Sequence, residues 1–410
     1  MAPENIISSI DIGSSKIRTI IAGFEDIKSS DFHVLWVWTA QSNAMRKGNI
    51  LDMEEFKSNL DNSLEEAEKM SGEPTTWVHL SFNSSSMEVI QSKGIIAVSG
   101  EEISPADIDR VLDMARNWVD MPNREILKVV PEYFMVDLEE GVKNPVGMSA
   151  RKLEVVANIF SMNKNVLWNI KKAVADVGIE IYDITPNLIT APEGVLSKRQ
   201  KELGVVCIDI GASTTGVTVY EEWVLKFASI IPVGWDSVTN DIALWARTSI
   251  DIAEKLKTQF AEVGLSEEET KEKEIHLHDI LPGEEGSISN IYLSQIVTAR
   301  YEEIFYFVGQ ELKKIGRDGM LPEGAILVWG AVKQQWVVEL AKKALRLPVF
   351  VGIPVEKQAM SETSISDPVF AGVVWSLIFG NKLNIWKTSF KLNIGWFFES
   401  IIKAFKKILP

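Results

Sequence analysis

The chain has a single cysteine, Cys207, among its 410 residues. One thiol cannot build an intramolecular disulfide framework or a thiolate metal cluster, a pattern that fits a reducing cytoplasm. No apolar run reaches the roughly 20 residues that a membrane-spanning helix needs. Basic residues are under-represented: 42 Lys and Arg stand against 57 Asp and Glu, for a formal net charge of −15. Phosphate contacts require a basic surface, so no nucleic acid is expected as a partner. Histidine is scarce, and His276 and His278 have no further His or Cys beside them, too few ligands for a metal centre. Met1 to Asn5 leads into apolar sequence without a basic start or a small-residue cleavage site, so a soluble, cytoplasmic start is expected.

What is present is an ordinary globular balance, 46% hydrophobic and 24% charged. The length corresponds to two to four domains at about 100–200 residues each. The charge is uneven. Residues 380–410 hold six Lys and one Glu, a net of +5, which leaves −15 − 5 = −20 on residues 1–379. A basic end on an acidic body marks an appended interaction segment.

One pattern occurs twice. Ile6 to Ile12 reads as a strand that ends in Asp11-Ile-Gly-Ser-Ser-Lys16, followed by a second apolar run, Ile17 to Ala22. Far downstream, Gly204-Val-Val-Cys-Ile-Asp209-Ile-Gly-Ala-Ser-Thr-Thr215 leads into Gly216-Val-Thr-Val-Tyr220. Each copy is an apolar strand with an acidic residue near its end, a glycine turn with small hydroxyl side chains, and another strand. Glycine lets backbone N–H groups approach an anion, and hydroxyls add donors to phosphate oxygens. A carboxylate at each strand end suits Mg²⁺, held through water. Two such hairpins facing each other would clamp a nucleoside triphosphate between two domains. The plain alternative is a pair of ordinary β-hairpins.

With these hairpins and several further strings, the sequence resembles the bacterial actin-like cell-division proteins of the FtsA family, within the actin, sugar-kinase and heat-shock ATPase superfamily. The strings are Ser92 to Gly100, Glu102 to Leu112, Arg124 to Pro131 and Asn144-Pro-Val-Gly-Met-Ser149. Ala253 to Lys257, Thr298 to Phe305 and Asp367 to Ala371 extend the likeness over nearly the whole chain.

The resemblance implies an α/β fold of two actin-like domains around a nucleotide cleft, with an FtsA-type inserted subdomain and a C-terminal amphipathic helix. The first domain would comprise residues 1–83, 163–203 and 360–379, with the insert at 84–162. The second would comprise 204–226 and 309–359, with a smaller subdomain at 227–308. ATP and Mg²⁺ are the implied cofactors, with Asp11 and Asp209 near the metal. Gly13, Ser14, Ser15 and Lys16 form the first phosphate loop, and Gly211, Ala212, Ser213, Thr214 and Thr215 the second. Glu254, Lys257 and Gly330 fall in stretches that contact adenosine; for Glu254 and Lys257 a solvated i, i+3 ion pair is the other reading.

The chain departs from the family pattern in places. Ala212 and Ser213 stand where two glycines are usual, and Gly216 where an Asp is common. Trp329 precedes Gly330 in the adenosine loop, where an indole could stack on the base, fill its pocket or pack in the core. No dedicated general base stands out, so at most a weak ATPase is expected.

The end of the chain reads as a membrane helix. At 100° per residue, Glu399, Ser400, Lys403, Lys406 and Lys407 share one face of residues 395–410. Phe397, Phe398, Ile401, Ile402, Phe405, Ile408 and Leu409 share the other, with Trp396 at the headgroup level. Too short and too charged to span, it suits an in-plane helix on an anionic membrane, preceded by a linker at 380–394. A helix docked on the body is the alternative.

The resemblance further implies a scaffold that ties the tubulin-like polymer FtsZ to the cytoplasmic face of the inner membrane at the septum. It would self-associate as an actin-like polymer and recruit later division proteins. Arg300 and Glu303 fall in the motif that receives the FtsZ C-terminal peptide; a surface ion pair is the other reading. Two alternatives differ in class: an adaptor like the type IV pilus protein PilM, which normally lacks such a tail, and a nucleotide-free pseudo-ATPase scaffold.

Overall fold

The computed structural model describes residues 5–24, 32–119, 121–261, 273–284, 286–328, 335–354 and 367–378. Apolar β-branched runs, the first two joined by a short turn at Gly13, dictate the first sheet. It begins with β1 (Asn5–Ile12), β2 (Lys16–Phe24) and β3 (Phe32–Gln41). A short hairpin of β4 (Met45–Arg46) and β5 (Asn49–Ile50) leads into α1 (Met53–Ser71) and β6 (Trp77–Phe82). Asp52 caps α1, its side chain accepting from the Glu55 N–H at 3.0 Å, and Gly72 ends the helix in the left-handed region.

The chain then leaves this sheet to build a separate one. It consists of β7 (Glu88–Ala97), α2 (Pro105–Asn117), β8 (Arg124–Val136), β9 (Glu139–Val142) and β10 (Lys152–Asn163), with strand order β7-β10-β8-β9. Val111 and Ala115 of α2 share its core with Leu153, Val155 and Ile159 of β10. The return runs through α3 (Lys164–Asp176), β11 (Glu180–Pro186), α4 (Asn187–Val195) and α5 (Lys198–Leu203).

The second half opens with β12 (Val205–Ile210), β13 (Thr215–Glu221) and β14 (Val224–Ile231). Next come α6 (Asp236–Ala246), α7 (Ile250–Lys255), a π-helical turn over Leu256–Phe260, and the small pair β15 (Glu274–His276) and β16 (Ser287–Ser289). The long α8 (Asn290–Lys314), β17 (Ala325–Val328), α9 (Gln335–Leu345) and β18 (Val349–Val351) complete it. β14 stays paired with β13 as far as Ile231, so the expected subdomain edge at 226/227 falls inside a strand.

The two halves repeat one topology. The first sheet is ordered β3-β2-β1-β6-β11 and the second β14-β13-β12-β17-β18. In each, the first three strands are antiparallel and the last two join in parallel. Residues 371–378 form a helix that returns to the first sheet, where Val373, Val374 and Leu377 share a core with Ile7, Ile20 and Phe24. Among the described residues no helix is long and apolar enough to cross a membrane. The amphipathic segment 395–410, its linker, Trp329 and Gly330 lie outside the described residues.

Candidate functional site

The two glycine turns have the same geometry. β1 and β2 pair up to Ile12↔Ile17, and the Gly13 N–H donates to the Lys16 carbonyl at 3.0 Å. β12 and β13 pair up to Ile210↔Thr215, and the Gly211 N–H donates to the Thr214 carbonyl at 2.9 Å. The turns also face each other. The Ser213 hydroxyl donates to Ser14 Oγ at 2.6 Å and accepts from the Lys47 N–H, in the β4–β5 turn, at 2.7 Å. Any anion entering between the turns would have to replace contacts that Ser14, Ser213 and Lys47 make with one another.

Gly13, Ser14, Ser15, Lys16, Gly211 and Ala212 are half-buried, open enough to meet an anion, whereas Ser213 and Thr214 lie deeper. Thr215 is fully buried and its hydroxyl donates to the Val233 carbonyl at 2.8 Å, so it pins β13 rather than facing the cleft. The second turn is braced from behind. The Trp235 and Asp236 N–H groups donate to the carbonyls of Gly211 and Ala212 at 3.1 and 2.7 Å. This approach requires Gly234, because a Cβ there would stand 2.4 Å from the Gly211 oxygen and 2.6 Å from the Ala212 oxygen. At Gly216 the fit is tight but less strict: a Cβ would stand 3.1 and 3.2 Å from the ends of the Leu188 and Asn83 side chains, which would have to give slightly.

Asp11 and Asp209 both lie at the floor of the cleft, 1% and 5% exposed. Asp11 Oδ1 accepts from the Asn187 amide at 2.8 Å, and Asp209 Oδ2 accepts from the Asn83 amide at 3.1 Å. Sequence reading missed the cation beside Asp11. Arg18, directly across the hairpin from Asp11 in register, places its guanidinium 3.5 Å from Asp11 Oδ2. It is only 4% exposed. Burial pushes its pKa down against the opposing pull of Asp11, Asp209 and Asp367, and burial pushes that of Asp11 up despite Arg18.

These residues do not fit a directly bound Mg²⁺, which takes six oxygens in a strict octahedron. Both Asp11 oxygens already face nitrogen donors, and among the described residues no three His, Cys, Asp or Glu side chains gather as a ligand set. Direct coordination is thus disfavoured at Asp11, where Arg18 already supplies a positive charge.

Glu254 and Lys257 do come together, but not as a solvated pair. α7 gives way to the π-helical turn at Leu256, which widens the helix and turns Lys257 inward to 1% exposure. Its Nζ contacts Glu254 Oε2 at 2.5 Å, donates to Thr239 Oγ1 at 2.5 Å and sits 3.8 Å from the Trp235 ring centroid. Burial pushes its pKa down to about 8, although Glu254 and Asp236 oppose the shift. The Glu254 side chain keeps 44% exposure. Trp235, Thr239 and Asp236 were also missed; only their place just beyond Gly234 could have flagged them.

Arg300 and Glu303 are joined at 2.5 Å, and Arg300 also forms a fork with Asp241 of α6, its second bond at 3.1 Å. The pair thus ties α8 to α6. Hydrogen bonds to Asp241 lead the causes that hold the Arg300 pKa above its ordinary value.

Two copies of this sheet, with anion-type turns meeting across a cleft, define the actin-like class. Solved structures of that class agree at the level of fold. A type IV pilus biogenesis complex of PilM and PilN matches with a TM-score of 0.64 at 13% identity, covering 92% of this chain and 99% of that one. MreB 5 of Spiroplasma citri bound to AMPPNP matches with a TM-score of 0.55 at 14% identity, covering 94% and 99%. Within the class the sequence is more specific. Residues 84–161 match the SHS2 domain inserted in FtsA, and 206–374 match the model of cell division protein FtsA. Cell division protein FtsA of Bacillus subtilis is 30% identical over 358 residues, covering 86% of this chain and 80% of that protein. That of Pseudomonas aeruginosa is 29% identical over 375 residues, covering 92% and 89%. The chain belongs to the FtsA family of cell-division proteins.

Proposed function

We propose that this chain is a nucleotide-binding division scaffold that tethers FtsZ to the cytoplasmic face of the inner membrane at the septum, self-associates as an actin-like polymer and recruits later division proteins. The observation that carries the nucleotide reading is the Ser14–Ser213 contact, which sets two glycine turns face to face at phosphate-binding range. Gly13 to Lys16 and Gly211 to Ser213 would take the phosphates of ATP, with Lys16 as counter-charge. Glu254 offers a half-open carboxylate to the sugar, and Lys257 supports it from beneath. The MreB 5 match, solved with AMPPNP, supports the same use of the fold. Mg²⁺ would enter with the nucleotide, carried on its phosphates. A scaffold that uses nucleotide structurally, at most a slow ATPase, fits a cleft in which no side chain among the described residues stands out as a general base.

Membrane attachment is assigned to residues 395–410, and receipt of the FtsZ C-terminal peptide to the face bearing Arg300 and Glu303. One observation favours a second reading, the nucleotide-free scaffold: the cleft is bridged by protein groups, Ser14 to Ser213 to Lys47. ATP titration followed by Trp emission and by calorimetry decides between them. Saturable heat together with an emission change supports the nucleotide reading, and neither signal up to millimolar ATP supports the second.

A further inference from the structure

The cleft floor gathers negative charge that ordinarily calls for a metal. Asp11 and Asp209 are almost fully buried, and Asp367 lies close enough to act on the same cation. Buried carboxylates must be paired, protonated or metal-bound, because an uncompensated ion in a low-dielectric interior costs several kcal/mol. Here a paired cation is present and covalently attached. Arg18 is 4% exposed and 3.5 Å from Asp11, with Asp209 and Asp367 acting on the same guanidinium. The hairpin register fixes it there, because Asp11 and Arg18 are Cα partners across β1 and β2. Asn187 and Asn83 take further carboxylate oxygens of Asp11 and Asp209.

We propose that Arg18 is the resident cation of the cleft: its guanidinium, paired with Asp11, stands in for a divalent ion at the cleft floor, so the chain takes a nucleoside polyphosphate without holding a metal on Asp11 and Asp209. A guanidinium is always charged and presents five donors in a planar fork, which suits it to serve carboxylates on one side and phosphate on the other. A divalent ion brought close to Asp11 and Asp209 would have to displace this fork or sit beside its charge. The nucleotide half of the proposal rests on the reading given above; the cation half does not.

The test uses the full-length protein and two probes. In the first arm, nucleotide-free protein is titrated with Mn²⁺ and free ion is read by electron paramagnetic resonance. The wild type is expected to show no Mn²⁺ site that Asp209→Asn removes. Arg18→Met is expected to gain a site at least tenfold tighter than anything in the wild type, and adding Asp209→Asn abolishes it. Arg18→Lys, which keeps the charge, gains none. A wild-type site lost in Asp209→Asn, or no gain in Arg18→Met, overturns the proposal. Should Arg18→Met fail to fold, Arg18→Gln, which keeps part of the hydrogen bonding, takes its place with the same outcomes.

In the second arm, ATP affinity of the wild type is compared in EDTA and in Mg²⁺. An affinity within threefold in the two buffers, or a larger Mg²⁺ dependence that Asp209→Asn leaves unchanged, supports uptake without a metal on these carboxylates, and a Mg²⁺ dependence that Asp209→Asn removes overturns it. Absence of ATP binding in both buffers, with the Mn²⁺ arm as expected, refutes the nucleotide reading while the cation assignment stands.

Discussion

Ser14 and Ser213, 199 residues apart in sequence, share a hydrogen bond of 2.6 Å. It joins the turns of two duplicated hairpins and makes the cleft a property of the tertiary fold rather than of either half. Ser213→Ala removes this bond and the acceptor for the Lys47 N–H together. The expected cost is about 1–2 kcal/mol of unfolding free energy, read by urea denaturation. Faster amide exchange at Lys47 should accompany it, and unchanged exchange there would show that the bridge is not formed in solution.

Gly234 has no room for a methyl group, since the carbonyl oxygens of Gly211 and Ala212 would lie at 2.4 and 2.6 Å. Those are backbone atoms of the second turn and cannot rotate aside. Gly234→Ala is expected to destabilise the protein by more than about 2 kcal/mol. If the variant folds, its displaced turn should weaken ATP binding at least tenfold, measured by calorimetry.

Lys257 gives a pH signature. Its folded-state pKa of about 8 lies below the usual value for a lysine. Between about pH 8 and 10.4 the unfolded chain therefore binds more protons than the native one, and stability rises with pH across that window. Below about pH 8 both states carry the proton, and the full cost of burying the charge is present. Lys257→Met keeps the stem beneath Trp235 and leaves Glu254 hydrated. At pH 7 the variant should match or exceed the wild type by about 1 kcal/mol, and that advantage should shrink toward pH 9.5. Urea midpoints at pH 7, 8.5 and 9.5 read this directly; parallel midpoints at every pH would refute the buried-charge account.

The duplicated turns were legible because glycine and small hydroxyl residues at a strand end leave few other conformations for the chain. The resident cation was not. Arg18 sits inside Ile17 to Ala22, which reads as one apolar run, and its meaning depends on a register that places it opposite Asp11. Asn83 and Asn187 reach Asp209 and Asp11 across 126 and 176 residues, and no local pattern carries such contacts. The burial of Lys257 was not legible for a geometric reason: a regular helix leaves it beside Glu254 in solvent, whereas the π-helical turn rotates it under Trp235.

Arg300 separates a structural from a recognition role. Arg300→Ala loses the fork to Asp241 that ties α6 to α8, at an expected cost of about 1–3 kcal/mol by urea denaturation. Under the proposed function it also weakens binding of the FtsZ C-terminal peptide at least tenfold while the far-ultraviolet spectrum stays native. A destabilised variant that binds the peptide as well as the wild type would assign the residue to helix packing alone.

The tethering role is tested most directly by co-sedimenting a labelled FtsZ C-terminal peptide with anionic phospholipid vesicles, with and without this protein. The account predicts that the peptide pellets only when the full-length chain is present, and that deletion of residues 396–410 abolishes pelleting while peptide binding in solution persists. Peptide that stays in the supernatant with the full-length chain, or that pellets equally well with the truncated one, would contradict it.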